Sequence, residues 1–214
     1  MAQIFPKWTN KLPKVAILGG GAAFTFVVFV FWYWFSPYNL DVGYEPVQPV
    51  QYSHKLHAGN LGIDCRYCHA GVENSAVAGV PPTQTCMNCH DMIKKNSIKL
   101  EKVVHSYEAD KPIEWLRIHK MPDYVYFDHS AHVNKGVGCA SCHGRIDEMV
   151  RVRQDKPLSM GWCLDCHRNP VEHIRPLDKV TDMNFKPDLA WLEEAPKKAA
   201  QLNPPVVSCS GCHR

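Results

Sequence analysis

The sequence predicts a largely irregular domain of short α-helices that follows a single N-terminal membrane-spanning helix. Three observations lead to this prediction. The motif Cys-x-x-Cys-His occurs five times and accounts for all ten cysteines. A run of 21 uncharged residues, 15–35, lies near the N-terminus. The chain also carries 16 prolines and 13 glycines in 214 residues, and such residues interrupt regular elements with turns.

The repeated motif is typical of covalent haem attachment. Two thiols three residues apart reach neighbouring edges of one porphyrin, and the adjacent histidine ligates the iron. We therefore expect five haem c groups, with iron as the metal. The attachment motifs are Cys65–Cys68–His69, Cys86–Cys89–His90, Cys139–Cys142–His143, Cys163–Cys166–His167 and Cys209–Cys212–His213.

Two other uses of these cysteines are weaker interpretations. Structural zinc needs four ligands, so the motifs would have to combine in pairs, and five motifs leave one unpaired. A disulfide framework has no need of this fixed spacing or of the histidine. Five haems in so short a chain would supply much of the apolar interior. The predicted fold class is therefore a mostly irregular multihaem cytochrome c domain with short α-helices and a haem-filled core.

The uncharged run predicts a transmembrane anchor over residues 15–36. As a helix its 21 residues rise about 31 Å, close to the roughly 30 Å of the hydrocarbon core. Lys7, Lys11 and Lys14 precede it, and the first charges after it are Asp41 and Glu45. The positive-inside rule then places residues 1–14 in the cytoplasm and the rest in the periplasm of a bacterial inner membrane. Bulky aromatics follow the run, which argues against a cleaved signal peptide.

Charge excludes one class of partner. The formal net charge is +3, and the three N-terminal lysines account for all of it. The exported region contains no basic run and no reader motif, so we expect no nucleic-acid binding.

The exported region, 51–214, contains an internal repeat after a linker at 37–50. "QYSHKLHAGNLGIDCRYCH" aligns with "YFDHSAHVNKGVGCASCH", and a second haem motif follows each of them. The region therefore divides into two dihaem modules, about 51–92 and 126–168, with a fifth haem at 209–213.

Each iron needs a sixth ligand if it only carries electrons. Two His-x-x-His pairs, His54 with His57 and His129 with His132, supply four. The first histidine of each pair is expected to ligate the haem that follows it, and the second to reach a different haem. His119 is our candidate for the fifth ligand. Alternatives that remain open are His105, His173, Met160 and Met183.

The His-x-x-His before paired haem motifs is similar to class III multihaem cytochromes. The whole chain resembles the membrane-anchored pentahaem cytochrome c subunits of bacterial alternative complex III. The resemblance rests on "FPKWTNKLP", "SHKLHAGNLGIDCRYCH", "CMNCH", "VYFDHSAH" and "SMGWCLDCHRNP".

That resemblance implies an electron-transfer subunit of a membrane quinol:electron-acceptor oxidoreductase, with no substrate site of its own. It implies an iron–sulfur protein, polytopic membrane subunits and a monohaem cytochrome c subunit as partners. Electrons would leave towards a soluble acceptor such as a periplasmic cytochrome c.

Two alternative functions come from other classes. A stand-alone membrane-anchored quinol dehydrogenase feeding a periplasmic reductase would need a quinol pocket with a proton acceptor, for which Asp41 and Glu45 are candidates. A multihaem enzyme reducing nitrite, hydroxylamine or sulfite would need an iron with an open position. All five motifs end in histidine and seven further histidines are present, which disfavours that enzyme.

Overall fold

The computed structural model describes residues 4–36, 41–202 and 206–213. The chain divides into two units, the first reaching to Asp41 and the second starting at Val42. The ends of the predicted cytoplasmic segment and linker, residues 1–3 and 37–40, lie outside the described residues, as do 203–205 and 214.

The first unit is essentially one helix. A 3₁₀ turn, Lys7–Lys11, leads into α1, Leu12–Trp34. Pro13 lies in the first turn of α1, where its missing N–H costs no hydrogen bond. No described side chain of α1 is buried. Its apolar residues lie on all sides of the helix, so no single face is suited to packing against a protein core. The stretch Lys7–Trp34, whose most apolar window of 18 residues has a mean hydropathy of 2.2, is long and apolar enough to cross a membrane.

The second unit consists of short helices joined by irregular chain. Among its described residues there is no strand, and only two isolated bridges occur, Val125 with His213 and Val137 with Ile174. The predicted fold class is confirmed in this respect. The helices are α2 (Cys65–Cys68), α3 (Thr83–His90), α4 (Glu101–Glu108), α5 (His129–Val133), α6 (Cys139–His143), α7 (Met160–Arg168), α8 (Leu189–Gln201) and α9 (Cys209–Cys212).

Few apolar side chains of the described chain are buried. The largest group is a small cluster of Val50, Met87 and Val103, which joins α3 to α4. So small an apolar core does not offset the conformational entropy of a domain of this length. Apolar groups other than side chains are therefore needed to complete the interior, in agreement with the predicted haem-filled core. The buried apolar residues are Val50, Met87, Val103, Met149, Ile174, Val180 and Ala195.

The second unit starts at Val42, within the predicted linker at 37–50. Gly43 donates its N–H to the carbonyl of Gln154, and Gln154 donates back to Tyr44 (2.8 and 3.1 Å). The side chain of Gln48 exchanges two hydrogen bonds with the backbone of Leu116, both 2.9 Å. The described part of the predicted linker, 41–50, is thus held against the rest of the second unit by hydrogen bonds between distant residues. No local sequence pattern predicts these bonds.

The two predicted modules meet at a π-helical turn, Lys55–Asn60, which packs against the 3₁₀ turn Ile146–Glu148. Lys55 donates its N–H to the carbonyl of Met149 at 2.9 Å. Arg145 holds the nearly buried carboxylate of Asp147 with two hydrogen bonds of 2.9 and 2.7 Å. This pairing lowers the pKa of Asp147 and fixes the turn on which the first module rests.

Gly59 tests this contact. A Cβ added there would overlap the backbone carbonyl of Asp147, which cannot rotate away. We expect Gly59→Ala to reduce the free energy of unfolding by about 1–3 kcal/mol, the usual cost of overpacking. The measurement is the denaturant midpoint of the haem-loaded chain. The matched control is Gly161→Ala in α7, where nothing lies within 4 Å of the added Cβ. Equal stability of both variants would contradict the contact.

Candidate haem-binding site

Each attachment motif lies on a short helical turn. The cysteine pairs occupy α2, α3, α6, α7 and α9, so that the two sulfurs of a motif, three residues apart, point to one side of the turn. Capping side chains start several of these turns: Asp64 accepts from the N–H of Arg66 at 2.8 Å, and Ser159 from that of Trp162 at 3.3 Å. The motif histidine ends the turn or follows it directly.

Four motif histidines face the ring of a second histidine. The partners are the four residues of the two His-x-x-His pairs, which lie on the Lys55–Asn60 turn or at its start, and on α5. Distances between ring centres are 6.5 Å for His54 with His69, 6.1 Å for His57 with His90, 6.5 Å for His129 with His143 and 6.1 Å for His132 with His167.

These separations fit an iron between the two rings. A metal–imidazole bond is about 2 Å long and the ring centre lies about 1 Å beyond the nitrogen, so two imidazoles on opposite faces of one iron have centres roughly 6 Å apart. Direct ring stacking would be closer. The residues present therefore fit bis-histidine haem at four motifs, and the first histidine of each pair faces the motif that follows it.

Backbone carbonyls fix the orientation of most of these rings. A carbonyl only accepts, so Nδ1 carries the proton and Nε2 stays free to bind a metal. The Nδ1–H groups donate over 2.6–2.9 Å in six of the eight rings: His57 to Ser53, His69 to Gly79, His90 to Ile93, His129 to Ala76, His132 to Asp128 and His167 to Val206.

The remaining two rings, those of His54 and His143, belong to half-buried residues. Nδ1 of His54 and of His143 is inaccessible and has no hydrogen bond. Burial lowers the pKa of His54 to about 4 and that of His143 to about 3, and neighbouring histidines act in the same direction. Both imidazoles are therefore neutral at physiological pH, the state in which imidazole binds metals.

An aromatic residue backs each histidine pair in the same way. Tyr52 stacks on His57 at 4.4 Å and meets His54 edge-on at 4.9 Å. Phe127 stacks on His132 at 4.5 Å and meets His129 edge-on at 4.8 Å. The repeated sequence thus forms the same ring arrangement twice.

The zinc and disulfide interpretations lack support in this geometry. No two of the ten cysteines form a disulfide. Within the described ranges no three or more Cys, His, Asp or Glu side chains converge on one point as a zinc site requires. Haem iron needs only two protein ligands, one on each face, which is the arrangement found.

The fifth motif has no histidine opposite it among the ring contacts of the described residues. The ring beside His213 is that of Tyr124, at 5.7 Å. His119 lies instead against His143, at 4.5 Å and nearly perpendicular, with its Nε2 buried and unpaired. The structure does not bring His119 to His213, and the sixth ligand of the fifth iron stays a prediction.

The other candidate ligands are spread over the unit. His105 is exposed on α4, and Met160 is 63% exposed at the start of α7. His173 lines an open cleft beside α7 of about 540 Å³. Met183 is half-buried in the loop before α8. None of these four has a ring or metal-site contact with His213 among the described residues.

Sequence reasoning missed the groups that orient the rings. The acceptors of the Nδ1–H bonds are backbone carbonyls, so no residue type marks them. It also missed contacts between distant segments, such as Thr181 donating to Asp64 at 2.7 Å. The polar residues Tyr67 and Asn88, inside the first and second motifs, could have indicated a contact between these motifs. Asn88 donates a hydrogen bond to the Tyr67 hydroxyl at 3.2 Å.

Comparison with known proteins agrees with this geometry. Residues 37–119 match the class III cytochrome C family, and residues 131–214 match cytochrome c3. The chain is similar to the menaquinone reductase, multihaem cytochrome c subunit of Nitratidesulfovibrio vulgaris (strain Hildenborough). The two are 36% identical over 138 residues, which span 63% of this chain and 64% of that relative.

The ligand assignment predicts the effect of removing one distal ring. In His129→Ala the iron at Cys139–Cys142–His143 should lose its sixth ligand, because that ring faces His143. Electron paramagnetic resonance of the oxidised protein should then show one new high-spin ferric haem. The control His105→Ala removes an exposed histidine and should leave the spectrum unchanged. A low-spin spectrum in His129→Ala would contradict the assignment.

The hydrogen bonds of Asp64 predict that the stability of the fold depends on pH. Hydrogen bonds from Arg66 and Thr181 lower the pKa of this carboxyl to about 2, against a smaller opposing effect of burial. The charged form therefore stabilises the fold above its ordinary pKa of about 3.9, and this stabilisation is lost as pH falls from about 4 to about 2.

We expect Asp64→Asn to lower the free energy of unfolding at pH 7 by about 1 kcal/mol, a value discounted for solvent exposure. The difference from the native protein should vanish near pH 2. Asp91→Asn is the control, since Asp91 forms an exposed ion pair with Lys95 at 2.6 Å, and such pairs contribute little to stability. A difference for Asp64→Asn that persists at pH 2 would refute the prediction.

Proposed function

We propose that this chain, which carries class III, cytochrome c3-like multihaem domains, is the electron-transfer subunit of a membrane-bound quinone oxidoreductase. The observation that carries the proposal is the set of four opposed histidine pairs. Each pair would occupy both axial positions of an iron. Such a site leaves no position for a substrate, which suits electron transfer rather than catalysis on the iron.

The five attachment motifs support five haem c groups, held by ten cysteines. Bound haem supplies one-electron chemistry between ferric and ferrous iron. The chain contributes the rest: the thiols fix position, the paired imidazoles hold the iron low-spin, and the carbonyl acceptors keep Nε2 pointed inward. Nδ1 of His54 and of His143 is inaccessible to water.

The placement of the protein follows from α1 and the charges around it. We propose that α1 anchors the chain in the bacterial cytoplasmic membrane, with the N-terminus inside and the haem domain in the periplasm. Lys7 and Lys11 before α1, Lys14 in its first turn, and the absence of basic residues directly after it support this orientation.

The partners are proposed on two grounds. The relative is named as a subunit of a menaquinone reductase, which supports a quinone-active complex. The likeness to alternative complex III suggests an iron–sulfur protein, polytopic membrane subunits, a monohaem cytochrome c subunit and a soluble periplasmic electron acceptor. In this arrangement the other subunits handle quinol and this chain relays the electrons.

The direction of electron flow has two candidates. Alternative complex III would oxidise quinol and pass electrons outward. The name of the relative favours the reverse, in which periplasmic electrons reach menaquinone. A stand-alone quinol dehydrogenase is less well supported, because Asp41 and Glu45 are both exposed and neither lines a pocket suited to a quinone head group.

Reaction with quinone separates these candidates. The complex purified from native membranes should exchange electrons with a menaquinone analogue, observed as a change in the haem absorption bands. The subunit alone should not, because its candidate proton acceptors, Asp41 and Glu45, are both exposed. Reduction by menaquinol supports outward flow, and oxidation of the pre-reduced complex by menaquinone supports inward flow. Rapid reduction of the isolated subunit by menaquinol would overturn the proposal in favour of the stand-alone enzyme.

A further inference from the structure

Contacts between the attachment motifs indicate the spatial order of the motifs, which differs from their order in the sequence. Each attachment motif contacts another motif, or shares a histidine turn with it, through specific side chains or backbone groups. Because a haem is bound rigidly to its motif, neighbouring motifs imply neighbouring haems.

The second and first motifs are joined directly. Asn88, inside the second motif, donates to the hydroxyl of Tyr67, inside the first, at 3.2 Å. His54 and His57, three residues apart, face the histidines of these same two motifs. The turn that carries them therefore spans both haem positions.

The first and third motifs meet at their starting residues. Asp64 caps α2 and accepts a hydrogen bond from Thr181 at 2.7 Å. Val180, the residue before Thr181, accepts a hydrogen bond of 3.1 Å from the N–H of Cys139, the first residue of α6. The side chains of Cys65 and Cys139 lie beside each other. This junction links the two modules.

The third and fourth motifs are bridged by α5. His129 faces His143, and His132, one turn on, faces His167. The fourth motif then meets the fifth through Val206. Its carbonyl accepts from Nδ1 of His167 at 2.8 Å, and its side chain lies where a Cβ on Gly211, inside the fifth motif, would stand.

Exposure of the cysteines agrees with the order that results. Eight of the ten cysteines are partly buried, and the two exposed ones are Cys89 and Cys209. These belong to the second and fifth motifs, which have one neighbour each. His143 of the third motif, in the middle, has a buried and unpaired Nδ1.

We infer that the five attachment motifs form an unbranched row in the order second, first, third, fourth, fifth, and that electrons enter and leave through the Cys86–His90 and Cys209–His213 ends. The use of these ends rests on the proposed electron-transfer function; the order itself does not. In each transfer along the row one iron is oxidised from ferrous to ferric while its neighbour is reduced, with the electrons supplied and removed by the quinone and the periplasmic redox partner.

Iron positions test the order. In a structure of the haem-loaded full-length protein, an anomalous difference map at the iron edge should show five irons in one row. The motif of Cys139–His143 should lie at the centre and those of Cys86–His90 and Cys209–His213 at the ends. A branched array, or either end motif in the interior, would overturn the inference.

A pair of variants gives a second readout that needs no structure. Methionine in place of a distal histidine raises the potential of the iron it faces, and the altered charge state shifts the potentials of adjacent haems. His57→Met should therefore shift one other haem in a spectroscopic redox titration, and His129→Met should shift two. Equal numbers of shifted haems in the two variants would contradict the row. Neither measurement uses quinone, so the order and the proposed function are tested separately. A wrong order would not contradict the proposed function, and a complex that does not react with quinone would not contradict the order.

Discussion

The proposed haem sites depend on one constraint: two imidazole nitrogens must lie on opposite sides of an iron, about 4 Å apart when each bond is about 2 Å. Covalent attachment fixes one of them, because the motif histidine follows the second cysteine directly. The other must come from a distant segment held at the right depth. His-x-x-His solves this twice, since residues three apart on one turn serve two irons. Paired motifs are thereby forced close together, as the rings of His54 and His57 show against His69 and His90.

The same need explains why so little of the haem domain is regular. A ring that binds metal through Nε2 usually gives its Nδ1–H to an acceptor, and carbonyls inside helices are already used. Gly79, Ala76, Ile93 and Val206 all lie in irregular segments of the described chain, where their carbonyls are free. Ala76 accepts both the backbone N–H and Nδ1–H of His129, using its two lone pairs. Loops here are ligand supports rather than connectors.

Sequence alone could predict whatever has a local pattern. The five motifs, the two histidine pairs with their aromatic residue and the apolar helix α1 were all visible as spacing or composition. What could not be predicted depends on contacts between distant residues. Asp64 meets Thr181 across 117 positions, and neither residue type signals the other. His119 was assigned to the fifth iron because a spare histidine was needed, yet the fold sets it beside His143, since spacing carries no information about which motif a lone residue will approach.

The central claim is that every Cys-x-x-Cys-His motif carries a covalently attached haem. Intact-protein mass spectrometry of the chain, denatured and isolated from cells that mature c-type cytochromes, tests it most directly. The mass should exceed that of the 24.3 kDa polypeptide by five haem groups, and the denatured band should keep haem-dependent peroxidase activity in a gel. A chain with the bare polypeptide mass and no retained haem would contradict the account.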